Sequence, residues 1–173
     1  HLIEDGDRIL VGVSGGKDSL ALLEVLAMRA KDPKQNYTVM AAHIAVEDVA
    51  YEVDGEYLRG ICERLGVEYV YRTIRVDTTV NPKKPACFVC SWHRRKMLFD
   101  IAKEYDCKKL ALGHHRDDAV ESLLMSMMFN GTICSMPARL EMFKNTFTLI
   151  RPLIYLSNDE TSRYAEMRQF KKL

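Results

Sequence analysis

Arg8-Ile9-Leu10-Val11-Gly12-Val13 runs directly into Ser14-Gly15-Gly16-Lys17-Asp18-Ser19, and Leu20, Leu22, Leu23, Val25, Leu26 and Met28 follow at once. The first run is short, apolar and stopped by paired glycines, which predicts a buried strand over 8–13. Good helix formers fill 18–30, and their wide apolar face predicts a mostly buried helix. Between them lies a tight turn in which two glycines let the backbone reach positive φ and approach a ligand closely. Backbone N–H groups at a helix N-terminus then face that ligand with the helix dipole behind them, which suits an anion. Ser14 and Ser19 add hydroxyls and Lys17 adds positive charge. The spacing is neither that of a Walker A loop nor a Gly-x-Gly-x-x-Gly fingerprint. A carboxylate at Asp18, beside a phosphate nest, calls for a divalent cation between them. A bland strand-to-helix turn would need neither Lys17 nor both serines.

Working outward, the same alternation repeats. Strands are predicted at 37–46, 67–74, 108–113 and 148–153. Helices are predicted at 54–65, 91–105, 117–129 and 159–169, the third of these with the cleanest amphipathic pattern (Val120, Leu123, Leu124, Met127, Met128). Gly66 and Gly131 read as stops. Asn81-Pro82-Lys83-Lys84-Pro85 reads as a loop. Such alternation predicts an α/β fold: an open, mostly parallel five-stranded sheet with helices on both faces, as a single domain over 1–173. Ligands of such sheets bind outside the carboxyl ends of the strands.

The 173 residues suffice for one core, and the net charge of +1 decides nothing about nucleic acid. No run is long and apolar enough for a membrane span or a signal peptide, and both ends look trimmed. Five cysteines, an odd number, favour a reducing, cytoplasmic compartment over a disulfide scaffold.

Two further motifs carry chemistry. Gly113-His114-His115-Arg116-Asp117-Asp118 follows the fourth strand and opens the next helix. Asp117 and Asp118 could hold Mg²⁺ or touch a substrate, and the basic residues could offset phosphate charge. Alone, the two aspartates would suit helix capping equally well. His43, in the second strand, joins Gly113 and His114 as a candidate nucleotide contact. Cys87-Phe88-Val89-Cys90 spaces two thiolates for one metal site or one reactive pair. Cys134 is a candidate further ligand. Cys62 and Cys107 read as core thiols, and Trp92 reads as core before base-stacking. From Lys83 to Lys109 basic residues outnumber acidic ones eight to three. Arg94-Arg95-Lys96 within that stretch is a candidate RNA contact.

Ser14–Ser19 after a first strand resembles the PP-loop of N-type ATP pyrophosphatases. With Gly113–Asp118, Cys87–Cys90 and Ile150-Arg151-Pro152-Leu153, the chain resembles the tRNA-thiolating branch of that family, of 2-thiocytidine synthetase type. The resemblance implies an adenine nucleotide alpha hydrolase-like (Rossmann-like) fold. It implies ATP and Mg²⁺ as ligands, with Asp18 on the metal and Lys17, Asp18, Asp117 and Asp118 as catalytic candidates. It implies a [4Fe–4S] cluster on Cys87, Cys90 and a later cysteine, which in that group falls beyond the Arg-Pro-Leu strand. Partners expected are tRNA and a sulfur donor such as a cysteine desulfurase, with a homodimer as the assembly. The expected activity adenylates O2 of a tRNA cytidine, releases pyrophosphate and installs sulfur. The alternatives are the same chemistry on a uridine, amide formation, or a metal-containing RNA-binding module without catalysis.

Overall fold

The computed structural model describes residues 1–47, 53–77, 85–144 and 146–171. The predicted loop at 81–85 falls outside these except for Pro85. The elements are β1 (Asp7–Gly12), α1 (Lys17–Ala30), β2 (Tyr37–Val46), α2 (Gly55–Leu65), β3 (Glu68–Ile74), α3 (Ala86–Glu104), β4 (Lys109–Ala111), α4 (Arg116–Asn130), β5 (Arg139–Met142), β6 (Phe147–Ile150) and α5 (Asn158–Met167). They build one sheet of order β3-β2-β1-β4-β6-β5. All pairs are parallel except β5 with β6. The sheet therefore has six strands, not five. The extra one is a four-residue edge strand, Arg139-Leu140-Glu141-Met142, whose charged residues hide it from a hydrophobic-run reading but suit an edge.

Alternation along each strand assigns the two faces. Ile9, Val11, Ala41 and Ile150 join Leu20, Leu23, Leu58 and Ile61 in one core layer, under α1 and α2. Leu10, Met40, Ala42, Leu110 and Leu149 join Ile101 and Ala102 of α3 in the other. β1 and β4 are neighbours, and chain order reverses between them: β2 and β3 lie to one side, β6 and β5 to the other. This is the switch point at which an open α/β sheet leaves a crevice.

Element ends follow local chemistry. Gly66 (φ +72°) and Gly131 (φ +61°) close α2 and α4 in the left-handed region, as predicted. β6 stops at Ile150, just before Pro152, which has no N–H to donate. α3 begins at Ala86, earlier than the 91 expected, so Cys87 and Cys90 lie within its first turns.

Burial adds three facts that the sequence pattern does not carry. α4 exists as predicted, but it buries none of its residues; Val120, Leu124, Met127 and Met128 stay exposed. Periodicity identifies an apolar face without saying what covers it. Trp92 is not core: it is about half exposed, with its ring edge-on to His93 and the Lys96 Nζ 5.9 Å above it. The basic stretch is not one surface. Lys109 is buried, with Nζ 2.6 Å from Asp7 and 3.2 Å from Glu4 at the amino edge of the sheet. Cys62 and Cys107 are buried as expected. Burial pushes both thiols up to about 11, so neither is a ready thiolate.

Candidate active site at the carboxyl edge of the sheet

The turn after β1 is braced by its own side chains. Ser14 N–H and Ser14 Oγ both lie 3.2 Å from Ser19 Oγ, which in turn donates to the Gly16 carbonyl at 2.8 Å. Gly16 N–H donates to Ser14 Oγ at 3.3 Å. Gly15 sits at φ +93°, a conformation that glycine adopts without steric cost. The serines therefore shape the loop as well as offering hydroxyls to a ligand.

Lys17 and Asp18 form a pair, Nζ to Oδ1 at 2.6 Å. This changes one inference from sequence: Asp18 has a cationic neighbour of its own, so its carboxylate does not by itself require Mg²⁺. Lys17 Nζ also donates to Asn158 Oδ1 (2.8 Å) and Thr161 Oγ1 (3.2 Å) in the first turns of α5. Sequence offers Asn158 only as a candidate cap for this helix, a place Ser157 takes, and nothing local links either residue to Lys17. α5 is held in place by the buried Glu24 of α1, which accepts a bidentate pair from Arg168 (2.7 and 2.8 Å) and a bond from Tyr164 Oη at 2.8 Å.

The Gly113–Asp118 motif faces this loop. Gly113 has no room for a side chain: an added Cβ would lie 2.9 Å from Ser19 N and 3.0 Å from Asp18 C and O. The missing Cβ lets the end of β4 seat against the start of α1. His115 caps α4 by accepting from Asp118 N–H on Nδ1 (3.4 Å), while Asp118 Oδ2 accepts from His115 N–H at 2.8 Å. Nδ1 also lies 3.3 Å from Asp118 Oδ2, and Nε2 lies 4.0 Å from Asp18 Oδ2. Asp117 Oδ2 accepts from Asn158 N–H at 2.8 Å, tying α4 to α5. Both aspartates thus have structural work at helix starts.

His43 lies at the same edge, buried, with Nδ1 2.7 Å from the carbonyl of Val13 and its ring stacked 5.6 Å from Tyr71. A carbonyl accepts only, so Nδ1 donates. Burial holds the pKa of His43 below its ordinary value of 6.5, and it does the same to His114, where Arg151 adds to the effect. Both take up a proton less readily in the folded chain than in the unfolded one, so the unfolded chain binds more protons as pH falls through 6.5. Stability is therefore expected to drop between pH 7 and 5. Urea denaturation across that range checks this, and His43→Gln should flatten the dependence.

Cys87 is exposed and Cys90 partly so, one turn apart on α3. That spacing suits two corners of one metal site. Among the described residues no set of three His, Cys, Asp or Glu side chains comes together to hold a metal, so Cys134 does not complete one with this pair. Of the basic trio, Arg95 and Lys96 are exposed. Arg94 is partly buried, with its charge felt by His43.

A parallel sheet with a serine-braced glycine turn at its switch point defines a phosphate-binding α/β protein. The chain belongs to the PP-loop domain family, whose model matches residues 2–171. It is 37% identical over 174 residues to tRNA-cytidine(32) 2-sulfurtransferase 1 of Francisella tularensis subsp. novicida, covering 98% of this chain and 64% of that one. It is also 37% identical to tRNA-cytidine(32) 2-sulfurtransferase of Hahella chejuensis, covering 98% and 60%. Among solved structures it resembles the U34-tRNA thiolase NcsA from Methanococcus maripaludis with its [4Fe–4S] cluster: TM-score 0.76, 26% identity, 99% of this chain and 59% of that one. The chain therefore spans about 60% of the length of the proteins it matches. Among the described residues no helix is long and apolar enough to cross a membrane.

Proposed function

We propose that this chain is the ATP-splitting part of a tRNA thiolation enzyme acting on cytidine O2. The observation that carries the reading is the contact of two motifs at one switch point, the Ser14–Ser19 turn and Gly113–Asp118 on adjacent strands. ATP lies along this edge, with its β- and γ-phosphates against Ser14, Gly15, Gly16 and Ser19 and its nucleoside towards His43. The cytidine O2 attacks the α-phosphorus. An O–P bond forms, the α–β bridging bond breaks, and pyrophosphate leaves with the electron pair. A sulfide-level nucleophile then adds at C2, loses its proton, and AMP departs, leaving the 2-thio base. Lys17, turned from Asn158 and Thr161, offsets charge developing on the phosphates, and Asp117 or Asp118 orients the base. Asp18 would hold Mg²⁺, which would supply further charge stabilisation.

Cys87 and Cys90 supply two sulfur ligands suited to a cluster, and no described cysteine supplies a third. No step above is routed through one. Cytidine is favoured over uridine because the relatives named for cytidine share 37% identity, against 26% for the U34 enzyme. Asp18→Ala is expected to cut tRNA-dependent pyrophosphate release by about a hundredfold or more; undiminished release contradicts the catalytic reading. Cys87→Ser is expected to leave ATP binding intact while abolishing metal-cluster absorbance in anaerobic protein. Nucleoside mass spectrometry of tRNA from cells lacking the protein identifies the base: loss of 2-thiocytidine supports the assignment, and loss of a 2-thiouridine moves it to the uridine alternative.

A further inference from the structure

Arg151 is a buried charge that its surroundings satisfy only in part. It follows β6, and alternation from Leu149 puts its side chain on the α3 side of the sheet. It is 8% exposed. Nη1 donates to the Pro137 carbonyl at 2.7 Å, while Nε is buried without a partner. Among the described residues no carboxylate pairs with it. A buried guanidinium without a counter-charge is costly, and proteins keep one where an anion arrives.

Its neighbours are unsatisfied in the same sense. His114, at the end of the adjacent β4, has a buried Nδ1 with no partner. Arg95 of α3 makes no ion pair among the described residues, and its charge is felt by both His114 and Arg151. Arg94, one position earlier, also has a buried Nε without a partner. Asp118 is the carboxylate that acts on His114, and its Oδ2 is occupied by His115 N–H. β4 and β6 pair at Ala111 and Ile150, so His114 and Arg151 follow adjacent strand ends, and α3, which carries Arg95, packs over that face of the sheet.

We propose that Arg151, His114 and Arg95 form a second anion subsite, separate from the Ser14–Ser19 turn, that takes a phosphate group. The guanidinium fork presents Nε and Nη donors to two oxygens of one phosphate. The phosphate comes either from the nucleotide or from the RNA backbone beside the target base. The naming of these two sources rests on the proposed function; the binding of an anion does not.

The test begins with inorganic phosphate, titrated at constant ionic strength while the melting temperature is followed. Wild type is expected to be stabilised. Arg95→Gln and Arg151→Gln are expected to lose a clear part of that stabilisation, and Lys103→Gln, an exposed cation at the far end of α3, is expected to keep all of it. Arg95 is exposed, so its variant folds even where Arg151→Gln does not. A phosphate response in Arg95→Gln equal to wild type overturns the proposal, as does an equal loss in Lys103→Gln. Dissociation constants for ATP and for an anticodon stem-loop RNA then identify the source. A loss of about tenfold or more on the ATP arm assigns the nucleotide phosphate, and the same loss on the RNA arm assigns the backbone. Failure of wild type to bind ATP would sink the proposed function, yet leave the inorganic phosphate result standing.

Discussion

Gly113→Ala is expected to weaken ATP binding by about 10- to 100-fold, the equivalent of the roughly 1–3 kcal/mol that overpacking costs. The added methyl meets backbone, not flexible side chain: Ser19 N at 2.9 Å and Asp18 C and O at 3.0 Å. Relief requires the end of β4 to move away from the start of α1. That motion separates His114 from the phosphate turn and pulls on the first turn of the helix that carries Lys17 and Asp18. A glycine control sharpens the result. At Gly12 an added Cβ meets side-chain atoms of Leu112 (3.0 Å) and Leu98 (3.1 Å), which can rotate. Isothermal titration with ATP should rank Gly113→Ala well below Gly12→Ala.

Lys109→Ala is expected to destabilise the fold by about 3–5 kcal/mol, because it strands a buried carboxylate. Lys109 is only 4% exposed and lies 2.6 Å from Asp7, itself mostly buried, with the exposed Glu4 at 3.2 Å. The pair joins the starts of β1 and β4, the two strands that carry the candidate site at their opposite ends. Combining Lys109→Met with Asp7→Asn should recover much of the loss, since replacing both partners leaves no buried charge alone. Chemical denaturation of the single and double variants checks both statements. A single-variant loss below about 1 kcal/mol would place the pair among weak surface ion pairs.

How much of this was legible beforehand depends on the range of each interaction. Strand β1, the glycine turn and α1 form one continuous signal, and their boundaries fall within a residue of expectation. The parallel topology followed from alternation, and it brought Gly113–Asp118 beside the turn. β5 escaped because Arg139 and Glu141 break its apolar run, as an edge strand tolerates. The exposure of α4 and Trp92 escaped because periodicity describes a face, not its neighbour. The role of Lys17 was only half readable. A lysine in a phosphate turn suggests a phosphate ligand, yet its partners Asn158 and Thr161 lie 141 and 144 residues away. Arg151 is readable as part of the Ile150–Leu153 motif, but only the fold shows it buried, on the strand next to the one that leads to His114.

These particulars leave one claim at the centre: the turn after β1 serves cleavage of ATP between its α- and β-phosphates. Incubating the protein with α-labelled ATP, Mg²⁺ and unmodified tRNA, under anaerobic conditions with a sulfide source, tests it by the identity of the products. Labelled AMP and an equal amount of pyrophosphate are expected, both dependent on tRNA and on Asp18. Labelled ADP with inorganic phosphate, or AMP formation indifferent to tRNA, would contradict it.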